Sequence, residues 1–330
     1  MTTQSSKHPQ PIQYTYLDST ADWSTYLHCR PSYPPATENL ILSYHRAHSN
    51  SLRLAHDIGS GSGIFVPRLA EYFQHVHVSD PSSTTLSQAR DRISEFYAAN
   101  WWKSTFSFSV GTAEESAAAV AKGSVDLISM MMCAHWCDDA DVMMEAVAEA
   151  LAPNGTLAVV NYAPCCRVVG NEVVDAALGK LWTKWGGRFA EGASRRIERN
   201  NSPLDSIGLR EERGDEVWIQ DVTKRIKINF RERGDEAFVI PGSGGKVAKS
   251  RVGEKQRKYS FSDEDEEGAG WRNEVDAAWL RGYLGSIEKV ENFHVYEEEL
   301  QEVEKALKET TKDGMVVVEW AASILLATKK

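Results

Sequence analysis

One stretch constrains the fold of this 330-residue chain more than any other, the segment LAHDIGSGSG at residues 54–63. A short apolar run ends on Asp57 and passes into a loop with glycine at every second position, Gly59, Gly61 and Gly63. The segment that follows, IFVPRLAEYF, has apolar side chains at helical spacing. The stretch therefore predicts a β-strand, a glycine-rich turn and a helix, with bare backbone that a ligand can approach closely.

The residues around this loop discriminate between possible ligands. The spacing Asp-x-Gly-x-Gly-x-Gly differs from the Gly-x-Gly-x-x-Gly of dinucleotide sites, and no Gly-Lys-Ser/Thr of a phosphate loop is present. Asp57 would repel a phosphate but could pair with an ammonium group. Asp80, at the tip of the next predicted strand, could accept both hydroxyls of a ribose. An amine joined to an adenosine fits this pattern and points to S-adenosylmethionine, although two helix-capping aspartates are the alternative.

Strands and helices alternate five times through residue 162. After the first strand the predicted strands are HVHVS, TFSFSVG, VDLISMMM and TLAVVNY, and the near-continuous apolar run VDLISMMM is typical of a strand covered on both faces. This order predicts a parallel, doubly wound α/β sheet. Further along, DEVWIQDVTKRIKINF could supply a sixth strand, GSGGKVAKSRVGEKQRK is predicted to be an exposed loop, GWRNEVDAAWLRGYLGSIEKV is predicted to be helical, and MVVVEWAASILLATKK is predicted to be one long final strand.

Six segments carry a family resemblance: WSTYLHCRPSYPP, HDIGSGSG, VSDPS, VGTAEE, VDLISMMMCAHWCDD and LAPNGTLAVVNY. In order and approximate spacing they resemble the class I S-adenosylmethionine-dependent methyltransferases, and most nearly the trans-aconitate methyltransferase-like small-molecule branch. The resemblance implies a Rossmann-like, seven-stranded sheet, mostly parallel with the last strand antiparallel, and a helical or irregular cap. It further implies a cofactor-binding core at 21–162 and 291–330 and a substrate cap at 163–290. The polar composition itself predicts a flexible tail at 1–20 and a flexible loop near 241–270.

The resemblance also assigns roles to residues. The cofactor would be S-adenosylmethionine, with S-adenosylhomocysteine as product, and no metal is expected. The predicted cofactor-binding residues are Tyr26, Arg30, Asp57, Gly59, Ser60, Gly61, Gly63, Asp80, Pro81, Thr112, Ala113, Glu114, Met132 and Cys133. Thr112 stands where many relatives carry an aspartate that binds adenine, so either Thr112 or Glu114 could take that role. His135 is the candidate catalytic residue.

Four aromatic residues are predicted to line the substrate pocket: Trp23, Trp136, Trp279 and Tyr283. Such a group of aromatic side chains, with a polar tip on some of them, suits a small organic molecule. Each of the four could instead belong to the hydrophobic core.

Composition excludes several other classes of function. A net charge of −10 is unlike the basic footprint of a nucleic-acid binder. No apolar run is long enough for a membrane span, and the N-terminal residues lack the apolar segment of a secretory signal. Five cysteines at low density indicate reduced thiols and a cytoplasmic protein, and their spacing does not favour a zinc site. We expect a monomer or a homodimer without nucleic-acid or membrane partners.

The predicted function is methyl transfer to a small organic molecule, with carboxylate O-methylation favoured by the resemblance alone. A carboxylate or phenolate needs little activation, whereas a hydroxyl, amine or carbon acid would need a base, for which His135 is the candidate. A non-catalytic regulatory or partner-binding module that retains the cofactor site is the alternative from a different class.

Overall fold

The fold is built on thirteen strands, in a computed structural model that describes residues 28–100, 103–190, 195–209, 211–212, 215–288 and 290–330. In chain order the strands are β1 Leu54–Ile58, β2 His75–Asp80, β3 Thr105–Val110, β4 Val125–Met131, β5 Leu151–Tyr162, β6 Arg167–Val169, β7 Glu211–Glu212, β8 Asp215–Glu216, β9 Lys224–Ile228, β10 Arg257–Phe261, β11 Arg272–Val275, β12 Val316–Glu319 and β13 Ala322–Thr328. The helices are α1 Pro35–His48, α2 Val66–Ala70, α3 Ser83–Asn100, α4 Ser116–Ala119, α5 Ala140–Ala150, α6 Glu172–Gly187, α7 Arg195–Asn200, α8 Ala277–Gly285 and α9 Glu297–Thr310.

The main sheet has eight strands in the order β10-β9-β13-β5-β4-β1-β2-β3. Strands β3, β2, β1, β4 and β5 are mutually parallel, and β13 lies antiparallel between β5 and β9. Strand order therefore reverses at β1, where β4 and β2 pair with its two edges. In open α/β sheets such a reversal opens a crevice at the carboxyl ends of the strands, where ligands bind.

Alternate residues of the central strands supply two separate hydrophobic clusters, one on each face of the sheet. In β5, Ala158 and Val160 contribute to one cluster, whereas Leu157 and Val159 contribute to the other. All seven residues of β4 are buried, as the near-continuous apolar run predicts for a strand covered on both faces. The five parallel strands, and the Rossmann-like fold that they define, are thus as predicted.

The prediction of a seven-stranded sheet was wrong, because β10 adds an eighth strand at the edge. It pairs in parallel with β9 over Arg257–Phe261, and it begins within the segment that was predicted to be an exposed loop. Only Tyr259 and Phe261 point an aromatic ring to a common face, with ring centroids 6.2 Å apart. An edge strand needs one apolar face at most, so its sequence resembles that of a polar loop.

The final apolar run is two strands and not the single one that was predicted. Strand β12 joins β11 and β6 in a separate three-stranded sheet, and β13 enters the main sheet. The chain changes sheets at Trp320, which is fully buried and donates its backbone N–H to the carbonyl of Trp271 at 3.0 Å. Because the residue between the two strands is a fully buried tryptophan, the whole run is apolar. The sequence therefore gives no sign that the chain passes from one sheet to the other.

The segment at 270–290 also differs from the prediction, which made all of it helical. Residues Arg272–Val275 form β11, and α8 begins only after Asp276, whose carboxylate accepts the backbone N–H of Trp279 at 2.8 Å. This aspartate is the N-cap of the helix. Strands β9 and β10 come from the predicted cap at 163–290 and yet belong to the main sheet. Among the described residues, no helix combines the length and apolar character needed to cross a membrane.

Candidate functional site

The carboxyl ends of the parallel strands surround a cavity of about 420 Å³. Its walls come from the loop after β1, the ends of β2, β3 and β4, and the segments around α6 and α7. Of the predicted cofactor residues, those that line it are Arg30, Asp57, Gly59, Ser60, Gly61, Asp80, Pro81, Thr112, Ala113, Glu114, Met132 and Cys133. His135 and Trp136 line it too. The fold therefore brings most of the predicted site into one place.

Glycine is required at the start of the loop after β1. Gly59 has φ +62°, and a Cβ there would lie 2.6 Å from the Cβ of Cys133 at the end of β4. No side chain fits in that space, so the loop backbone packs directly against the neighbouring strand end. The backbone N–H of Ser60 donates to the carbonyl of Ser79, 3.0 Å away, which fixes the loop to β2. Gly63 is not part of the cavity lining and packs on α3, where a Cβ would meet Ala89 at 3.3 Å.

The two acids of the sequence pattern are both buried beside this loop. Asp57 accepts a hydrogen bond from the hydroxyl of Ser129 at 2.6 Å, and burial, with a smaller contribution from Asp80, raises its pKa to about 7. Asp80 accepts backbone N–H groups of Gly61 and Ser82, each at 2.9 Å, and burial raises its pKa as well. A buried carboxylate with a raised pKa is stabilised by a cation or by added donors. These acids therefore suit a ligand with an ammonium group and hydroxyls.

The loop after β3 holds Thr112, Ala113 and Glu114 on the cavity wall. The Thr112 N–H donates to the carboxylate of Glu115 at 2.9 Å. Glu114 accepts the backbone N–H of Asp138 at 2.7 Å, so its carboxylate ties this loop to the segment after β4. Glu114 thus has a structural task in addition to lining the cavity.

His135 lies on a short 3₁₀ turn after β4, 9% exposed, with its ring centroid 5.1 Å from that of Trp136. Burial lowers the pKa of His135 to about 4; the guanidinium groups of Arg199, Arg30 and Arg196 add to this, and Asn161 opposes it. The amide nitrogen of Asn161 lies 3.3 Å from Nδ1 of His135. In this assigned orientation the amide NH₂ group donates to Nδ1, which corresponds to a ring proton on Nε2. Sequence reasoning missed Asn161, which carries no motif.

The remaining predicted aromatics are not in the cavity lining. Tyr283 is fully buried, donates its hydroxyl to the carbonyl of Pro164 at 2.7 Å and accepts Nε1 of Trp320 at 3.0 Å. Trp279 stacks on Tyr283, with ring centroids 5.4 Å apart. Tyr283 packs in the hydrophobic core and Trp279 packs against it, because both rings contact Trp320, the residue after β12. Trp23 and Tyr26 lie outside the described residues.

The rest of the cavity lining comes from residues that sequence reasoning did not single out as part of the site. Arginine and large apolar side chains dominate there: Tyr33, Trp185, Arg188, Phe189, Arg196, Ile197, Ile240 and Ile287. The sequence signal for this wall was WGGRF at 185–189, which places aromatic and basic residues together at the end of a helix of the predicted cap. Among the described residues, no group of three or more histidine, cysteine or acidic side chains is arranged to hold a metal ion. The five cysteines, all of them among the described residues, form no disulfide with one another.

The fold and this cavity define a class of protein. Residues 56–159 match the family model of the methyltransferase domain. The chain is a methyltransferase, with the Rossmann-like fold of the class I S-adenosylmethionine-dependent enzymes.

Known methyltransferases match this chain along nearly its whole length. A methyltransferase of Aspergillus terreus, gedG, is 26% identical over 93% of this chain and 91% of its own. A methyltransferase of Pestalotiopsis fici, ptaI, is also 26% identical, over 99% of both chains. Among solved structures, that of a proposed type II methyltransferase from Anaeromyxobacter dehalogenans has 19% identity and a TM-score of 0.55, covering 90% of this chain and 97% of that one. At this level of identity, the similarity between the two structures shows a shared fold and no more.

Proposed function

We propose that this S-adenosylmethionine-dependent methyltransferase acts on a small organic molecule, and that a carboxylate oxygen accepts the methyl group. The state of His135 is the observation that carries the second part. Its burial and its pKa of about 4 keep the imidazole neutral and make it a poor proton acceptor near neutral pH. A carboxylate is already ionised near neutral pH and needs no base, so a neutral imidazole beside it is compatible with its methylation.

The residues of the cavity fit the cofactor that the class requires. Asp57 would pair with the ammonium group, and Asp80 would accept the ribose hydroxyls. The backbone around Thr112 and Ala113 would face the adenine, and we favour Thr112 over Glu114 because the Glu114 carboxylate already accepts the N–H of Asp138. When bound, the cofactor supplies a methyl carbon that its sulfonium already activates. Met132, Cys133 and Arg30 would surround the methionine part.

This chain's own contribution would be to position the substrate and exclude water. The cavity lining includes large apolar and aromatic side chains, among them Phe65, Trp136 and Phe189, together with a smaller number of polar and charged groups. Such a lining suits a small molecule held by one or two polar contacts. The more specific resemblance to the trans-aconitate methyltransferase-like branch stays a prediction from sequence.

Ligand-dependent unfolding tests the cofactor site. We expect S-adenosylmethionine and S-adenosylhomocysteine to raise the midpoint of thermal unfolding, by about 2.7 kcal/mol of added stability at a ligand concentration near 100 times Kd. NAD serves as the control and should produce no shift. An equal response to NAD, or none to the adenosyl ligands at saturation, would contradict the assignment of the loop.

The chemistry of the transferred methyl tests the acceptor atom. The enzyme is incubated with S-adenosylmethionine carrying a tritiated methyl group and a mixture of small organic acids, phenols and amines. Methyl esters release volatile methanol under mild alkali, whereas methyl groups on ether oxygen, nitrogen or carbon are retained. We expect volatile label, and activity retained in His135→Asn. Alkali-stable product together with loss of turnover in His135→Asn would instead establish a base-requiring acceptor.

A further inference from the structure

The cavity lining carries side chains of both charges. Asp57, Asp80, Glu114 and Asp138 are acidic, and Arg30, Arg188 and Arg196 are basic. An anionic molecule in the cavity would be attracted to the arginine side chains.

The three arginines differ in how firmly they are held. Arg188 forms an ion pair with Glu288, whose side chain is 1% exposed, so withdrawing Arg188 would remove a cation from a buried carboxylate. Arg30 donates to the hydroxyl of Tyr162 at 3.3 Å and to the carbonyl of Ser286 at 3.1 Å. Arg188 therefore joins two segments of the predicted cap, and Arg30 joins the end of β5 to the segment after α8.

Arg196 differs, because one of its partners is a carboxylate that is exposed to water. Its Nη2 lies 2.6 Å from Oδ1 of Asp138, whose side chain is 86% exposed. An ion pair to such an exposed carboxylate contributes little and is readily exchanged. The backbone of Asp138 is held independently, since its N–H donates to Glu114 at 2.7 Å and its carbonyl accepts from Arg199 at 3.0 Å. The loop would therefore stay in place if the Asp138 side chain released Arg196.

We propose that Arg196 is the residue that selects the substrate, by exchanging Asp138 for the carboxylate of a flat, apolar acid whose body lies against Trp136, Phe189 and Ile197. This inference rests on the proposed function. In the reaction one carboxylate oxygen forms a bond to the methyl carbon, the bond from that carbon to sulfur breaks, and no proton moves. The ester product is neutral, so Asp138 recovers Arg196 and the product leaves.

Two variants of the ion pair separate this role from a structural one. The full chain, saturated with S-adenosylhomocysteine, is titrated with benzoate and 2-naphthoate and with their methyl esters by calorimetry. We expect Arg196→Gln to weaken binding of the acids about tenfold, the effect of a lost charge-assisted hydrogen bond. Asp138→Asn removes the competitor and should tighten it severalfold. A purely structural pair would give effects of the same sign.

The controls keep the outcomes distinct. Arg195→Gln makes the same change of charge at the exposed neighbouring position and should alter acid binding less than twofold. The esters should bind weakly to every variant, and S-adenosylhomocysteine should bind all of them equally, which also establishes that they are folded. Failure of the wild type to bind S-adenosylhomocysteine overturns the proposed function and this inference together. Binding of S-adenosylhomocysteine without binding of either acid, or same-sign effects of the two variants, overturns this inference alone.

Discussion

Acidification is expected to destabilise this enzyme through His56, a fully buried residue in the middle of β1. Its Nε2 lies 2.8 Å from the hydroxyl of Ser79, and its ring centroid lies 4.6 Å from that of His77. Burial, followed by the proximity of His77, lowers the pKa of His56 from 6.5 to about 3. The folded chain therefore holds this imidazole neutral, whereas the unfolded chain binds a proton near pH 6.5.

The size of the effect follows from that difference in pKa. Because the folded pKa is the lower one, the stability that His56 contributes is complete above pH 6.5 and is lost as the pH falls towards 3. Linkage between protonation and folding gives a loss of about 2 kcal/mol between pH 7 and pH 5. That is a sizeable fraction of the roughly 5–15 kcal/mol that stabilises a typical domain. Asp57, with its raised pKa of about 7, titrates in the opposite sense over the same interval.

A comparison of variants isolates the contribution of His56 from the other groups. The free energy of unfolding is measured in urea, by tryptophan fluorescence, at pH 7 and pH 5 for the wild type and for His56→Gln, which keeps a polar side chain near Ser79. The variant should lose about 2 kcal/mol less than the wild type on acidification. Substitution of the exposed His28 by glutamine is the control and should leave the pH dependence unchanged. Equal losses in the wild type and in His56→Gln would refute the reasoning.

Three further predictions concern the site and its supports. Gly59→Ala should cost about 2 kcal/mol or more in thermal unfolding and weaken S-adenosylhomocysteine binding at least tenfold, because its Cβ would lie 2.6 Å from the next side chain at a φ of +62°; a neutral effect would contradict the required glycine. Tyr283→Phe should cost about 2–3 kcal/mol, since it leaves the buried Nε1 of Trp320 without its acceptor, while cofactor binding is unchanged; weaker cofactor binding would instead place this tyrosine in the site. Asn161→Ala should convert the single Nε2–H tautomer of His135 into a mixture, visible in ¹⁵N chemical shifts, and an unchanged spectrum would remove Asn161 as its positioning residue.

The part of the site that belongs to the sheet could be predicted from the sequence. Local chemistry fixes it, since Asp57 is the last but one residue of β1, Gly59 follows in a turn that excludes a side chain, and Asp80 ends β2. The parallel sheet then brings those strand ends together. His135 was predicted from the family resemblance, and it lies in the cavity lining just after β4.

The part of the cavity lining that comes from the cap could not be predicted, because no fixed sequence spacing relates its residues to those motifs. Arg188 and Arg196 reach the cavity only through the course of the cap, which tertiary packing decides. Tyr283 shows the converse difficulty. An aromatic residue at helical spacing gives the same sequence pattern whether it lines a pocket or packs in the core. Only the three-dimensional structure shows that Tyr283 forms hydrogen bonds with Pro164 and Trp320 in the core.

The position of β13 has a consequence for the order in which the enzyme can be assembled during synthesis. This strand follows all the others in the chain, yet it lies in the interior of the main sheet, between β5 and β9. Until residues 322–328 leave the ribosome, β5 has an unpaired edge, and β9 and β10 have no connection to the rest of the sheet. We therefore expect nascent chains that end before β13 to bind chaperones, and resistance to protease to appear only once this strand has been released.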